Sequence, residues 1–198
     1  TEINYLGFVG SGLKNINKKF FNKIKIQILP KSEQLNIETT LDTFDDMKLL
    51  MDTTNSKVIE AFFNIIHQDT SRGFDMAKNK EIGIIVKIPL DSGWLSGKYN
   101  AESRFDDIRG RWSKEDIKTR ANLVNKIKTL VGPEENLAQI AIAFCLAYEA
   151  VSTVIPGNMN IEQLTNNVKS TGMAMPKGLI EKLEYLYQSE IKELKLPW

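Results

Sequence analysis

Short apolar runs rich in β-branched residues alternate along this chain with longer amphipathic stretches, and this alternation constrains the fold more than any other feature. The clearest runs are residues 57–63, 82–88 and 151–155. Residues 82–88 (IGIIVKI) are nearly continuous in apolar character, as expected for a strand covered on both faces. The alternation predicts an α/β fold with parallel strands and outer helices.

Helix signals lie between these runs. Thr43 can cap a helix to about residue 51, and Ser113 can cap a long helix that ends at Gly132 and Pro133. The other predicted elements are helices at residues 13–21, 71–80, 137–148, 161–169 and 176–194, and strands at residues 3–9 and 24–29. From residue 57 onward the order is strand then helix, three times. This order fits half of a (β/α) barrel or part of a doubly wound sheet, and the pattern alone does not separate the two.

Composition narrows the class of protein. The 198 residues are enough for one domain, and a net charge of +1 gives no reason to expect a nucleic acid or an acidic membrane as partner. The single cysteine, Cys145, lies in an apolar helical run and is predicted to be a core residue, which fits a reducing, cytoplasmic location. His67 is the only histidine, so a multi-histidine metal site is not expected. No apolar run is long enough to predict a transmembrane helix.

The predicted strands end in segments that could bind a ligand, because parallel α/β folds bind ligands at the carboxyl ends of their strands. Glu60 and Asn64 lie at the first exit, where Asn64 could also be a simple cap. Residues 89–99 contain two glycines and two serines, which suits close approach of a phosphate or an ordinary loop. Residues 156–160 precede a helix whose amino end could favour an anion or could only be capped.

Taken together, these segments resemble the aldo/keto reductase family. PLDSGWLSGKY is similar to the family's loop after its seventh strand, and FDDIRGRW to the variable segment that follows. VIEAFFNIIHQD resembles the sixth strand and its exit, and NLAQIAIAFCLAYEAVSTVIPGNMNIEQLTNN resembles the helix, eighth strand and cofactor helix. The resemblance covers residues 57–171 and implies a partial (β/α)8 TIM barrel, incomplete on its amino-terminal side. Residues 1–198 are then one domain, with residues 1–56 divergent or rearranged and residues 57–198 matching the second half-barrel.

The resemblance also implies a chemistry. Family members bind NADP or, less often, NAD, and transfer hydride to a small carbonyl substrate while a tyrosine donates the proton. The positions that correspond to cofactor-binding residues are Ser11, Glu60, Lys87, Leu90, Ser92, Gly157, Asn158, Gln163 and Asn167. Glu60 stands where the family usually has a glutamine, and Met159 where it often has an arginine. The resemblance therefore implies either a preference for NADH or weak dinucleotide binding.

The proton-transfer half of the family's site has no convincing counterpart here. Tyr5 is the only tyrosine before residue 57, and His67 follows the sixth-strand segment instead of preceding it. The segment INYLGFVGSG resembles either the fifth strand, with Ser11 near the carboxamide, or the first strand. We therefore keep two hypotheses: a truncated NAD(P)-dependent reductase, and a non-catalytic dinucleotide-binding or interaction protein derived from the family. A half-barrel has two open edges, so we also expect that it could form a homo-oligomer through them.

Overall fold

The computed structural model describes residues 42–194 and 196–197. In chain order its elements are α1 (Phe44–Thr53), β1 (Val58–Phe62), α2 (Phe74–Asn79), β2 (Gly83–Lys87), α3 (Lys114–Val131), α4 (Leu137–Leu146), β3 (Val151–Ile155), α5 (Ile161–Lys169) and α6 (Leu179–Leu186). Single 3-10 turns cover Asp69–Gly73, Asp91–Ser96, Ile108–Arg111 and Ser170–Gly172, and a π-helical turn covers Tyr187–Ile191. The predicted elements at residues 3–9, 13–21 and 24–29 lie outside the described residues.

The strands form a parallel sheet in the order β1-β2-β3. β2 contains the apolar run that the sequence predicted, and it lies in the centre. Its register with β3 slips by one residue, because Ile84 pairs with Val151 while Ile85 pairs with Thr153. Ser152 is the extra residue. A Cβ atom placed on Gly83 would lie 2.8 Å from Ser152 Oγ, so a side chain at position 83 would collide with the hydroxyl of the extra residue.

The two faces of the sheet differ in burial. Ile59, Ala61, Ile84 and Val86 point to one face and belong to the main hydrophobic core, with α2 packed on β2 and α4 on β3. The opposite face is more open among the described residues: Glu60 is exposed, and Ile85 and Lys87 are partly exposed. The prediction that β2 is covered on both faces was therefore wrong for this part of the chain. Helices on a single face favour a barrel segment over a doubly wound sheet.

Helix boundaries follow local signals in most places. Ser113 and Asp116 form a reciprocal capping box at the start of α3, and Gly132 ends that helix. Thr43 caps α1 as predicted. The predicted helix at 71–80 begins instead as a 3-10 turn and becomes α-helical only at Phe74. The last helix begins at Leu179, later than the predicted start at Pro176, because Gly178 has φ of 75° and interrupts the turn before it.

α5 carries apolar side chains that the described residues leave uncovered. Ile161 is 82% exposed, and Leu164 and Val168 follow it at intervals of three and four residues on the same side of the helix. Ile155, at the end of the edge strand β3, and Met159 are also exposed. We call these five residues the α5 patch.

Candidate functional site at the carboxyl edge of the sheet

Parallel pairing brings the three strand ends to one edge. Phe62 pairs with Lys87, and Lys87 with Ile155, so the segments that follow β1, β2 and β3 leave the sheet side by side. These are the three segments in which the sequence predicted ligand-binding residues. The topology therefore brings together Glu60, Lys87, and the loops that carry Leu90, Ser92 and Gly157. Ser11 lies outside the described residues.

Asn64 joins the first two exits. Its Nδ2 donates a hydrogen bond to the carbonyl oxygen of Ile88 at 2.9 Å, while its Oδ1 accepts from the backbone N–H groups of Ile66 and His67. The side chain is fully buried. Asn64 is thus a structural clamp between the loops after β1 and β2, which is the capping interpretation of the two that the sequence left open.

The loop after β2 has an unusual backbone. Ile88, Asp91 and Ser92 have φ of 56°, 44° and 53°, and Gly93 follows at 92°. The left-handed region costs about 1–2 kcal/mol for each residue that has a Cβ atom. Three such residues in one short loop require compensating contacts. Asn64 supplies one such contact through its hydrogen bond to the carbonyl oxygen of Ile88. Asp91 supplies others through its buried carboxylate, which contacts Arg120 and His67.

Asp91 is fully buried and lies between two basic side chains. Its Oδ2 is 3.3 Å from Nε of Arg120 on α3, and its Oδ1 is 3.4 Å from Nε2 of His67 in the loop after β1. Arg120 is also buried. It donates from Nη2 to the carbonyl oxygen of Pro197 at 2.6 Å and lies over the ring of Trp112 at 4.5 Å.

Neither Asp91 nor Arg120 was among the residues predicted to form the site. The sequence did contain a signal for Arg120, because this residue falls on the buried stripe of α3 that Ile117 and Val124 mark. A cation on an apolar stripe indicates a buried acidic partner. His67 is partly buried against the ring of Phe62, with ring centroids 4.4 Å apart.

Lys87 and Glu60 differ in their surroundings. Nζ of Lys87 lies 2.8 Å from Oδ1 of Asp42, and only 13% of the Lys87 side chain is exposed. Glu60 is exposed on the open face of β1. A carboxylate at this position can accept hydrogen bonds but cannot donate one, in contrast to the glutamine that the family usually has.

The segment after β3 combines open space with amides that are already paired. Apart from its chain neighbours, no described residue has a heavy atom within 4 Å of a Cβ atom placed on Gly157. Asn158 Oδ1 accepts from Asn167 Nδ2 at 2.7 Å, and Gln163 Oε1 accepts from the backbone N–H of Met159 at 2.8 Å. Asn160 caps α5 through Gln163 N. The first turn of α5 is thus organised, and a ligand can approach the backbone at Gly157.

The long loop between β2 and α3 is held down by aromatic rings. Trp94 and Trp112 are buried and surround Phe105 and Tyr99, with ring centroids 5.0–6.3 Å apart. Arg109 lies over the rings of Tyr99 and Phe105 and donates to the carbonyl oxygen of Ser92 at 3.3 Å. The two tryptophans therefore pack the loop against the hydrophobic core.

Other features of the described residues are simpler. Cys145 is fully buried, as predicted, and burial raises the pKa of its thiol far above the ordinary range. A surface cleft of about 690 Å³, bordered by Gly97, Lys128 and Leu137, contains none of the predicted cofactor residues. In the part of the chain that the structure describes, no cluster of three His, Cys, Asp or Glu side chains could hold a metal ion. Likewise, none of the described helices has the length and apolar character needed to cross a bilayer.

Comparison with known proteins defines the class. The model of the aldo/keto reductase family matches residues 38–187, more than half of the chain. The chain belongs to the aldo/keto reductase family. The match begins 19 residues before the predicted boundary at residue 57 and extends through α6.

Curated relatives support the same family. The chain is 29% identical over 138 residues to a probable voltage-gated potassium channel subunit beta from Arabidopsis thaliana, covering 64% of this chain and 42% of that protein. It is 31% identical over 123 residues to L-glyceraldehyde 3-phosphate reductase from Escherichia coli O157:H7, covering 54% and 34%. The chain thus spans less than half the length of these relatives.

Solved structures agree on the fold. The chain matches the apo form of the aldo-keto reductase AKR11C1 from Bacillus halodurans with a TM-score of 0.57 at 17% identity, covering 76% of this chain and 50% of that one. The glycerol dehydrogenase AKR11B4 from Gluconobacter oxydans gives a TM-score of 0.58 at 16% identity, covering 79% and 50%. The fold is therefore a partial (β/α)8 barrel, as predicted.

A second family model, the Type I restriction modification DNA specificity domain, matches residues 2–61. This is less than a third of the chain, and it overlaps the aldo/keto reductase match over residues 38–61. In the overlap, residues of α1 and β1, including Met47 and Ile59, lie in the same hydrophobic core as the rest of the described residues. Most of the match falls outside the described residues. The expectation of no nucleic-acid partner stays a prediction.

Proposed function

We propose that this chain provides the dinucleotide-binding half of an NAD(P)-dependent aldo/keto reductase, which reduces a small carbonyl compound. The observation that carries the proposal is the convergence of the three strand exits at one edge of the sheet, each with the residues that the family resemblance assigns to the cofactor. The similarity to L-glyceraldehyde 3-phosphate reductase from Escherichia coli O157:H7 supports an oxidoreductase. The proton-donating residues are proposed to lie outside this chain.

The described residues fit a dinucleotide in most respects. Open space at Gly157 allows a ligand to approach the backbone, and Asn158 and Asn167 present a paired amide surface nearby. The loop with Leu90 and Ser92 is the proposed contact for the pyrophosphate. In this proposal Glu60 and Lys87 would hold the nicotinamide end, Glu60 by accepting a hydrogen bond from the carboxamide NH₂ group. The bound nicotinamide would supply the hydride.

The adenosine end favours NADH over NADPH. Residues 157–167 contain no Arg or Lys, and Met159 is exposed where a cation would meet the 2′-phosphate. A phosphate without a cationic partner gains little from binding there. NADH is therefore the proposed cofactor.

Titration of the full chain with NADH and NADPH, followed by intrinsic fluorescence and thermal shift, tests the proposal. We expect NADH to raise the midpoint temperature more than NADPH does. Glu60→Gln should bind NADH more tightly than the unmodified chain because it restores a donor, and Glu60→Ala more weakly. Glu134→Ala, on an exposed loop, is the control. No fluorescence change and no thermal shift with either dinucleotide would refute the proposal.

A second candidate is a non-catalytic interaction protein. One relative is a probable voltage-gated potassium channel subunit beta from Arabidopsis thaliana, a subunit of a larger assembly. The α5 patch supports such a role, since grouped exposed apolar side chains mark interaction sites. The test measures NADH binding and carbonyl reduction with the protein that the whole gene encodes. Binding of NADH without carbonyl reduction would favour this candidate.

A further inference from the structure

The buried contacts of Asp91 join three segments that are far apart in the sequence. Asp91 belongs to the loop after β2, His67 to the loop after β1, and Arg120 to α3. Arg120 extends the connection to the carboxyl-terminal segment through the carbonyl oxygen of Pro197. Asp91 belongs to residues 88–96, the loop that the proposed function assigns to the pyrophosphate, so these contacts anchor that loop from within.

We propose that Asp91, Arg120 and His67 form a positioning network that holds residues 88–96 in the shape that receives the dinucleotide. This inference rests on the proposed function for the identity of the ligand. Asp91 and Ser92 both have left-handed backbones, and the flexible chain disfavours that conformation. The buried carboxylate fixes the backbone of Asp91 from below, so the loop has its shape before a ligand arrives. Preorganisation of this kind increases affinity because less conformational entropy is lost on binding.

The contacts also explain why the charges are buried. A lone buried carboxylate would be strongly disfavoured, and Arg120 neutralises it. Arg120 is itself fixed by Trp112, whose ring lies 4.5 Å from its guanidinium carbon, and by Pro197. Asp91 therefore cannot move without moving α3 or the carboxyl-terminal segment. The basic side chains that face Asp91 among the described residues are Arg120 and His67, and neither is assigned to contact the ligand.

The test uses the full chain with Asp91→Leu and Arg120→Met combined. Removing both charges avoids leaving one buried charge unpaired, so the midpoint temperature should stay close to that of the unmodified chain. We expect amide deuterium exchange in residues 88–96 of the ligand-free protein to become about tenfold faster, and NADH to bind about tenfold more weakly. The control is Lys78→Met with Glu149→Leu, which removes an ion pair between α2 and the segment before β3.

Unchanged exchange in residues 88–96 of the double variant would overturn the network, and so would faster exchange with unchanged NADH affinity. If the double variant does not fold, Arg120→Lys replaces it. Lysine keeps the charge but cannot reach Asp91 and Pro197 together, so faster loop exchange is again expected. Exchange in the ligand-free protein requires no cofactor. Failure of the unmodified chain to bind NADH or NADPH would therefore refute the proposed function separately, while the exchange result still decides the network.

Discussion

Nζ of Lys87, the last residue of β2, forms an ion pair of 2.8 Å with Oδ1 of Asp42. The two residues are 45 positions apart, and Lys87 is at the position that the family resemblance assigns to the nicotinamide ring. The carboxylate of Asp42 thus already compensates the positive charge of Lys87. An anionic dinucleotide that binds beside Lys87 also has to approach this carboxylate.

Asp42→Asn should therefore strengthen NADH binding about threefold, because the substitution removes a negative charge and releases Lys87. Isothermal titration of the unmodified chain, Asp42→Asn, Lys87→Met and the double variant measures the coupling. We expect most of the gain to disappear in the Lys87→Met background. An equal gain in both backgrounds would mean that Asp42 acts on the ligand directly.

Asn64→Ala should lower the free energy of unfolding by about 2 kcal/mol, because it removes three hydrogen bonds and leaves the backbone N–H of Ile66 without its acceptor. The carbonyl of Ile88 and the N–H of His67 keep backbone partners, the N–H of Asp91 and the carbonyl of Asn64. Asn64→Asp keeps the acceptor for Ile66 and His67 but places an oxygen against the carbonyl of Ile88. Equilibrium denaturation with urea measures both variants. Asn125→Ala, on α3, is the control. A loss below about 1 kcal/mol for Asn64→Ala would contradict the clamp.

Met159→Arg should raise the affinity for NADPH relative to NADH about tenfold. Arginine at this exposed position would supply the cation that residues 157–167 lack. Fluorescence titration with the two cofactors gives the ratio of dissociation constants. Met159→Gln has a long polar side chain without the charge, so its ratio should stay near that of the unmodified chain. If the ratio of dissociation constants is the same in both variants, the 2′-phosphate does not bind beside residue 159.

The α5 patch, together with the edge of β3 that no other described strand pairs, predicts self-association of this chain. Sedimentation velocity over a wide concentration range should show dimers or larger species whose proportion rises with concentration. Ile161→Glu combined with Leu164→Glu should shift the chain to monomer, because buried carboxylates at an interface are costly. Leu49→Glu, which alters an exposed leucine of α1, should not. A monomer at every concentration of the unmodified chain would refute this prediction.

The ion pair of Asp107 with Arg109 predicts a pH effect. The hydrogen bond from Arg109 lowers the pKa of Asp107 to about 2, below the value of about 3.9 expected in the unfolded chain. Its contribution to stability is therefore complete above about pH 4 and is lost as the pH falls toward 2. The difference in urea midpoint between the unmodified chain and Asp107→Asn should shrink over that interval. Asp106→Asn controls for the change of net charge, and an identical pH profile for both variants would contradict the assignment.

Local signals predicted much of this structure. The apolar runs marked the three strands, and Thr43 and Ser113 marked two helix starts, because strand periodicity and capping depend on neighbouring residues. The pairing of Asp91 with Arg120, 29 residues apart, depends on how α3 packs, and no local pattern determines that. For the same reason, the family resemblance assigned Lys87 to the cofactor, which stays a prediction, but no local pattern indicated its pairing with Asp42.

The extra residue in β3, Ser152, limits which substitutions homologues of this chain can accept at position 83. The hydroxyl of Ser152 occupies the space that a Cβ atom on Gly83 would enter, so each of the two side chains limits what the other can become. A lineage that replaces Gly83 by a larger residue must turn this hydroxyl away or lose it. Homologues with a side chain at position 83 should therefore often have a residue without a hydroxyl, such as alanine or glycine, at position 152.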